Sequence, residues 1–268
     1  MPETPLRHPT AILGPAVALA PDVRVGPFAI LDGAITLGAG CVVGPGVHML
    51  GTVIAGANNT FHSGCVIGDL PQHLAYAGEP TTVEIGDGNV FREYVTVNRG
   101  MPATGKTTIG NKNFLMSGSH VAHDCRVGNG CIFANYALLG GHAEVGDGAF
   151  LSGNTAVHQF CRVGRLAMLS GTSAVSQDLA PFFIAQNINI IHGINVVGMR
   201  RAGIPNDEIQ AVRRAFKIIA RGGLTIRAAV ARLETEEGHH PAVRELIEFI
   251  RASKRGICTG SSKRESDE

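Results

Sequence analysis

The sequence contains no tryptophan, and aromatic residues make up only 5% of the chain. Charged residues are also sparse, at 17%, and they nearly cancel, with 23 lysines and arginines against 22 aspartates and glutamates. This balance gives no reason to expect nucleic acid or a membrane surface as a partner. No apolar stretch reaches the roughly 20 residues that span a bilayer. The first residues lack the basic and apolar segments of a signal peptide, so we expect a cytoplasmic protein without stable membrane insertion.

Glycine, by contrast, is abundant, at 35 residues, and 44% of the chain is hydrophobic. This composition fits neither an ordinary helical bundle nor a disordered chain. Apolar residues recur with a period of six from Leu13 to Val175, and 26 of the 28 positions in this phase are apolar. The two exceptions, His73 and Glu79, are neighbours in the count. Such a long and regular period indicates a solenoid.

Each six-residue unit has the composition of a short strand followed by a corner. Glycine follows the apolar position in twelve cases, among them Gly128 and Gly146, and glycine tolerates the backbone of tight turns. Small side chains such as Ala143 and Ser173 dominate four places after the apolar residue. Three units close a triangular coil, and about nine coils at the usual strand spacing give a prism on the order of 45 Å long. The pattern resembles hexapeptide-repeat proteins, so we predict an all-β solenoid, a left-handed parallel β-helix.

The repeat also accounts for the cysteines. Five of the six occupy the small inward position, four residues after an apolar one: Cys41, Cys65, Cys125, Cys131 and Cys161. We predict that they are small buried core residues. Neither the spacing of a zinc site nor that of a disulfide framework is present.

Two segments interrupt the repeat. Residues 69–82 contain Pro71 and cannot form a regular coil, and residues 98–108 contain Pro102 flanked by glycines. We predict that both are loops that leave the prism at a corner. Long loops on a rigid scaffold commonly carry function.

After Val175 the pattern becomes helical. Apolar periodicity predicts one helix from about 206 to Gly222, a second over about 224–237 and a third from Pro241. We therefore divide the chain into a β-helix domain of residues 1–190, a small C-terminal α-helical domain of residues 191–258 and a disordered tail of residues 259–268.

The helical region is basic. Residues 196–258 hold twelve lysines and arginines against seven acidic residues, whereas residues 1–195 hold nine against twelve. Such a surface suits a phosphate-bearing ligand or an acidic protein. A helical surface that faces solvent and binds no partner would have the same composition, so both interpretations stay open.

Histidines concentrate in three successive coils, with His120, His123, His142 and His158 close to Asp124. Asp124 and His142 are one 18-residue coil apart, so we expect them to stack. Three interpretations are open: histidines that pack against a neighbouring subunit, zinc ligands as in the β-helix carbonic anhydrases, and a general base oriented by an aspartate. An imidazole suits proton abstraction near neutral pH, and an adjacent carboxylate fixes its tautomer.

Five motifs carry a family resemblance: Tyr-Ala-Gly-Glu-Pro-Thr at 76–81, Arg-Glu at 92–93, His-Val-Ala-His-Asp-Cys at 120–125, Thr-Ala-Val-His-Gln-Phe-Cys at 155–161 and Ile-Ala-Gln at 184–186. Almost the whole chain resembles the acyl-carrier-protein-dependent UDP-N-acetylglucosamine O-acyltransferases, which begin lipid A biosynthesis. The resemblance implies a homotrimer with active sites between subunits. It also implies transfer of a (3R)-hydroxyacyl group from acyl carrier protein to the sugar 3-hydroxyl. No metal or bound cofactor is implied, because the 4′-phosphopantetheine arrives on the carrier protein.

The resemblance assigns roles to particular residues. His123 would be the general base, Asp124 would orient it, and the backbone amide of Gly141 would stabilise the oxyanion. The other residues would bind substrates or the carrier: His120, His142 and His158 along the sugar and pantetheine, Gln159 and Arg201 at the diphosphate, Asn195 at the uridine, Gly171 at the end of the acyl groove, and Arg213, Arg214 and Lys217 on the carrier protein.

The acceptor region departs from the family pattern. Where the family reads Gln-Asp-Leu-Lys-Tyr, residues 72–76 read Gln-His-Leu-Ala-Tyr. We expect Gln72 and His73 to contact the sugar, although His73 and Ala75 replace the family's acceptor-binding aspartate and lysine. Val197 likewise stands where the family usually has glutamate. These changes leave two acceptors open, a UDP-sugar with a 3-hydroxyl and one with a 3-amine.

Overall fold

The computed structural model describes residues 6–260. Its strands, in chain order, are β1 (Ile12–Leu13), β2 (Ala18–Leu19), β3 (Arg24–Val25), β4 (Ile30–Leu37), β5 (Val42–Val43), β6 (His48–Ala55), β7 (Thr60–Phe61), β8 (Val66–Asp69), β9 (Thr82–Ile85), β10 (Val90–Phe91), β11 (Thr96–Asn98), β12 (Lys106–Ile109), β13 (Phe114–Leu115), β14 (His120–Val121), β15 (Arg126–Val127), β16 (Ile132–Phe133), β17 (Leu138–Leu139), β18 (Glu144–Val145), β19 (Phe150–Leu151), β20 (Ala156–Val157), β21 (Arg162–Val163), β22 (Met168–Leu169), β23 (Ala174–Val175), β24 (Phe183–Gln186) and β25 (Ile190–Ile194). The helices are α1 (Val196–Arg201), α2 (Asn206–Arg221), α3 (Ile226–Glu237) and α4 (Pro241–Arg251).

The strands stack in parallel as a left-handed β-helix, which confirms the predicted fold. Each strand pairs with the strand one coil later, as Phe114 does with Ile132 and Ile132 with Phe150. Three faces result. Face one contains β1, β8, β11, β14, β17, β20 and β23, face two contains β2, β9, β12, β15, β18 and β21, and face three contains β3, β5, β7, β10, β13, β16, β19, β22 and β24. The long strands β4 and β6 bend from face one into face two.

Both predicted loops leave the corner between face one and face two. Paired residues are usually 18 positions apart, but Val66 pairs with Thr96, 30 positions on, and Thr96 with His120, 24 positions on. The loops at residues 70–81 and 99–105 thus add twelve and six residues to their coils. Because both insertions are multiples of six, the apolar phase continues through them.

The interior of the prism is filled by the second residue of each two-residue strand from β3 to β23 and by small residues at the corners. Phe61 and Phe91, for example, stack with ring centroids 4.8 Å apart. The five repeat cysteines are buried as predicted, and Cys258 is buried as well. A packed interior of this kind places any ligand site on the outside of the prism.

The three faces differ in the side chains that they present outward. Face three carries a nearly continuous apolar row of Val42, Val90, Phe114, Ile132, Phe150 and Met168. Face one carries a mixed row of Ile12, Ile30, His48, Val66, Thr96, His120, Leu138, Ala156 and Ala174. Face two is charged towards its C-terminal end, where Glu84, Thr108, Arg126, Glu144 and Arg162 succeed one another.

The β-helix gives way to helices after a hairpin. β24 forms the last parallel rung of face three, and β25 runs antiparallel to it, so the predicted domain boundary at residue 190 falls at the start of β25. α2, α3 and α4 lie where helices were predicted, whereas the six-residue α1 was too short for its periodicity to be recognised. None of the described helices is both long and apolar enough to cross a membrane. Of the predicted tail, Thr259 pairs with Ile190, and residues 261–268 lie outside the described residues.

Candidate active site

The corner between face one and face two brings together the residues of the histidine motif. Asp124, His142 and Phe160 occupy the same place in three successive coils, and all three adopt left-handed backbone conformations, with φ of 63°, 60° and 63°. Left-handed backbone recurs at the corners of other coils, for example at Tyr94 and Tyr136, so it is a feature of the repeat. We call this edge, with the loops 70–81 and 99–105 beside it, the His123 corner.

His123 and Asp124 form a buried pair. Nδ1 of His123 lies 2.6 Å from Oδ2 of Asp124, and both residues are less than a tenth exposed. The other carboxylate oxygen of Asp124 accepts hydrogen bonds from the Met101 amide, at 2.8 Å, and from the Thr104 hydroxyl. Because Asp124 is held on both sides, it fixes the imidazole with Nδ1 towards the carboxylate, and Nε2 has no hydrogen-bond partner among residues 6–260.

Gly141 lies directly against the imidazole. A Cβ atom on this residue would be 2.5 Å from Cε1 and 2.6 Å from Nε2 of His123, so only glycine fits without movement. Among residues 6–260, no acceptor receives a hydrogen bond from the Gly141 amide. The Gly141 N–H, which lies beside the imidazole, is therefore free to donate a hydrogen bond to a ligand.

Two further imidazoles surround His123. Nε2 of His142 lies 3.3 Å from Oδ2 of Asp124, and its ring stacks on Phe160 at 4.4 Å. The rings of His142 and His73 both meet the His123 ring edge-on, with centroids 5.3 and 5.4 Å away. Burial lowers the pKa of His142 more than Asp124 raises it, which favours the neutral imidazole.

His120 and His158 border the same site on different sides. Nδ1 of His120 lies 2.7 Å from the Thr96 hydroxyl on face one, and burial lowers the pKa of His120, with a smaller contribution from His123. His158 is exposed, and its Nδ1 lies 3.3 Å from the Arg255 guanidinium. The four histidines therefore span three coils, as predicted, but only His123 and His142 contact Asp124.

Comparison with known proteins identifies the family. The sequence is 42% identical to acyl-[acyl-carrier-protein]–UDP-N-acetylglucosamine O-acyltransferase of Thermodesulfovibrio yellowstonii over 94% of this chain and 98% of that one. It is 43% identical to the protein of the same name in Thiobacillus denitrificans, over 93% and 98%. The chain belongs to the UDP-N-acetylglucosamine O-acyltransferase family. It is therefore an acyltransferase, as the motifs predicted.

Family models and solved structures agree with this membership. The model of UDP N-acetylglucosamine O-acyltransferase domain 2 matches residues 178–258, and the bacterial transferase hexapeptide model matches residues 106–141. The crystal structure of a UDP-N-acetylglucosamine acyltransferase from Bacteroides fragilis superposes with a TM-score of 0.89 at 38% identity and covers 93% of this chain and 98% of that chain. The enzyme from Moraxella catarrhalis gives 0.91 at 37%, with 95% and 100% covered.

The remaining predicted residues of this acyltransferase lie at other edges of the same chain. Gly171 is at the corner between face three and face one. The Asn195 amide caps α1, since its Oδ1 accepts from the Gly198 amide at 2.9 Å while its Nδ2 donates to the Leu166 carbonyl. Arg201 is exposed at the end of α1, and Gln159 is exposed at the His123 corner. These residues thus lie at two different corners of the prism and at the two ends of α1.

Some of the predicted carrier-binding and loop residues are exposed, and others are held by contacts within the chain. Arg213 and Lys217 are exposed on α2, but Arg214 is paired with Glu237 of α3. Gln72 is exposed on its loop. Nδ1 of His73 accepts a hydrogen bond from the Ala75 amide at 3.2 Å. The ring proton is therefore on Nε2, which can donate a hydrogen bond.

Sequence reasoning missed several residues of the site. Phe160 could have been found, because it follows His142 by one 18-residue coil. Thr104 and Met101 could not, because their contacts with Asp124 depend on the conformation of the 99–105 loop. Arg255 reaches His158 across 97 positions of sequence, a contact that no local pattern encodes.

Proposed function

We propose that the protein transfers a (3R)-hydroxyacyl group from acyl carrier protein to the 3-position of UDP-N-acetylglucosamine, the first step of lipid A biosynthesis. The observation that carries this proposal is the fixed His123–Asp124 pair with the unpaired Gly141 amide beside it. The relatives' names supply the substrates, and the site supplies a base and an oxyanion donor. The expected cytoplasmic location stays a prediction.

The proposed reaction proceeds through a tetrahedral intermediate. Nε2 of His123 takes the proton of the 3-hydroxyl while that oxygen bonds to the thioester carbonyl carbon. The carbonyl oxygen becomes an oxyanion and accepts the Gly141 N–H, and Asp124 stabilises the imidazolium through Nδ1. Collapse restores the carbonyl, breaks the carbon–sulfur bond and returns the proton from Nε2 to the departing sulfur. The products are the ester and the free thiol of the carrier.

A rival function, zinc-dependent lyase chemistry, uses the same residues. One donor atom each from His123, Asp124 and His142 lie within 4.8 Å of one another, which is close enough for a metal ion. Two of these atoms already form the hydrogen bond that orients His123, and family membership favours acid–base catalysis. Metal analysis of the purified, active protein separates the two functions, because a lyase requires stoichiometric zinc.

We propose that the active form is a homotrimer. The apolar row of face three and the mixed row of face one flank a charged face two, so the first two need covering and the third does not. A head-to-tail contact of face three on face one of the next copy closes a ring. Such a ring also places residues from different edges of two chains around one substrate.

We expect light scattering to give three times the 28.1 kDa chain mass at micromolar concentration. Ile132→Asp places a charge in the apolar row of face three. It should shift the measured mass from that of a trimer towards that of a single chain, because an unpaired charge is costly to bury. Thr108→Asp on face two is the matched control and should leave the mass unchanged. A single-chain mass for the unmodified protein would contradict the shared site.

The acyl groove is expected to end at Gly171. The nearest atom to a Cβ at this position is the Gly153 carbonyl oxygen at 3.6 Å, so a side chain there would fit and extend into the adjacent space. Gly171→Met should shift preference towards acyl chains several carbons shorter, measured by competition among acyl carrier proteins of different chain length. Gly171→Ala should produce a smaller shift in the same direction. An unchanged preference in both variants would place the end of the groove elsewhere.

The acceptor is tested by competition. His73 and Ala75 stand where the family has a carboxylate and an amine, and loss of a hydrogen-bond partner costs about 1–3 kcal/mol for an unchanged substrate. We expect UDP-N-acetylglucosamine to be acylated at least as efficiently as its 3-amino analogue in a mixture with one acyl carrier protein, with products identified by mass spectrometry. Preference for the amine would instead assign N-acyl transfer to the protein.

A further inference from the structure

The loop at residues 70–81, the acceptor-binding loop, is bonded to two consecutive residues of the segment that leads into the second loop. Nδ2 of Asn98 donates to the Leu70 carbonyl at 2.7 Å, where the acceptor-binding loop leaves its coil. Nε of Arg99 donates to the Tyr76 hydroxyl at 3.1 Å, in the second half of the same loop. The loop is therefore held both at its start and beyond its middle.

The Arg99 guanidinium is fixed on three sides. Nη1 donates to the Gly68 carbonyl at 3.0 Å, and Cζ lies 5.6 Å from the centroid of the Tyr76 ring. A Cβ at Gly51 would be 2.2 Å from Nη1, so the guanidinium occupies space that only glycine leaves free. Arginine suits such a position because its planar fork donates in fixed directions, whereas lysine offers a flexible point charge.

Tyr76 connects this anchor to the part of the loop that faces the base. Its hydroxyl donates to the Glu79 carbonyl at 2.6 Å while it accepts the Nε–H of Arg99. Its amide donates to the His73 carbonyl at 3.1 Å, so the turn that carries His73 is bonded to Tyr76 as well. Because the His73 ring meets His123 edge-on at 5.4 Å, a displacement of Arg99 would move the turn beside the base.

The same segment also holds the carboxylate behind the base. Shortly after Arg99, the Met101 amide and the Thr104 hydroxyl both donate to Asp124. One continuous stretch, residues 98–104, therefore fixes the acceptor-binding loop at one end and the His123–Asp124 pair at the other. The position of the loop relative to the base depends on this stretch.

We propose that Arg99 is a positioning residue, which holds the acceptor-binding loop in place against His123 and so sets the affinity for the UDP-sugar. The inference rests on the proposed acyl transfer. Arg99 acts through Tyr76 rather than on the reacting atoms. Without this anchor the loop is in its binding conformation in only a fraction of the molecules, and the apparent affinity falls by that fraction. Saturating acceptor selects the binding conformation again, so kcat is retained.

The experiment measures kcat, KM for UDP-N-acetylglucosamine and KM for the acylated carrier protein in Arg99→Gln and Tyr76→Phe. Each variant should raise KM for the UDP-sugar about tenfold, as expected for loss of one hydrogen bond to a charged group, and leave the other two constants within about twofold of the wild type. Arg99→Lys should recover part of the loss. The double variant should have no higher KM than the weaker-binding single variant, because both substitutions remove the same contact.

Lys106→Gln is the matched control, because Lys106 follows the second loop but pairs with Glu84 on face two, at 2.8 Å. It should change none of the three constants. An unchanged KM for the UDP-sugar, a fall in kcat alone, or effects that multiply in the double variant would overturn the positioning role. Tyr76→Phe removes a single oxygen, so it tests the proposal even where Arg99→Gln does not fold. A wild type that acylates no UDP-sugar would refute the proposed function itself, which is a different outcome.

Discussion

His123→Ala should lower kcat for acyl transfer by about 10²–10⁴-fold while the fold and the oligomeric mass stay unchanged. The Asp124 carboxylate holds the imidazole of His123 at 2.6 Å, closer than the 3.3 Å to His142, and Nε2 of His123 has no hydrogen-bond partner among residues 6–260. The buried His123 side chain lies at a corner of the coil and outside the apolar core of the prism, so its removal should leave the circular dichroism spectrum intact. Steady-state kinetics with acyl carrier protein and the UDP-sugar measure the effect.

The pH dependence of kcat/KM tests the role of His123 as general base independently. Only a neutral imidazole can accept the proton of the hydroxyl, so kcat/KM of the wild type should fall as the pH becomes acidic. The residual activity of His123→Ala should lose this dependence. The control variant is His142→Gln, which removes an imidazole beside Asp124 but leaves the His123–Asp124 pair in place, so it should retain this dependence. Activity of His123→Ala within about threefold of the wild type would exclude it as the base.

Gly141→Ala should produce the second large loss, about 10²-fold in kcat. The new Cβ would stand 2.5 Å from Cε1 of His123, so the imidazole must move although Asp124 holds it at 2.6 Å. A displacement of about 1 Å in a catalytic group costs on the order of 10²-fold. Because the amide N–H remains, the loss measures the position of the base rather than removal of the oxyanion donor.

Gly153→Ala is the matched control for this substitution. Its Cβ would meet nothing closer than the Asn135 carbonyl oxygen at 3.5 Å, which is an ordinary contact. Gly153 lies one coil before Gly171 and does not contact His123, so kcat should stay near that of the wild type, and any change in acyl-chain preference is scored separately. Equal losses in both variants would point to a general effect of corner glycines on the coil.

The acceptor-binding loop shows where the sequence and the structure contribute different information. The sequence shows that His73 replaces an acidic residue of the family, and the break in the repeat predicts the loop that carries it. The structure adds that the His73 ring meets His123 edge-on and that its Nδ1 is engaged by the Ala75 amide. Loop conformation depends on contacts with the scaffold, so no local pattern could place this ring.

The repeat by itself determined the fold, the buried cysteines and the stacking of Asp124 on His142. Because every regular coil has the same length, residues 18 positions apart in the sequence are neighbours in space. In a solenoid, position in the sequence therefore predicts position in the structure. Tertiary structure alone decided the rest: the Thr104 and Met101 bonds to Asp124, the bond from the Asn195 amide to the Leu166 carbonyl and the approach of Arg255 to His158. These contacts join segments that follow no common period, and their geometry is fixed only when loops and helices pack against the finished prism.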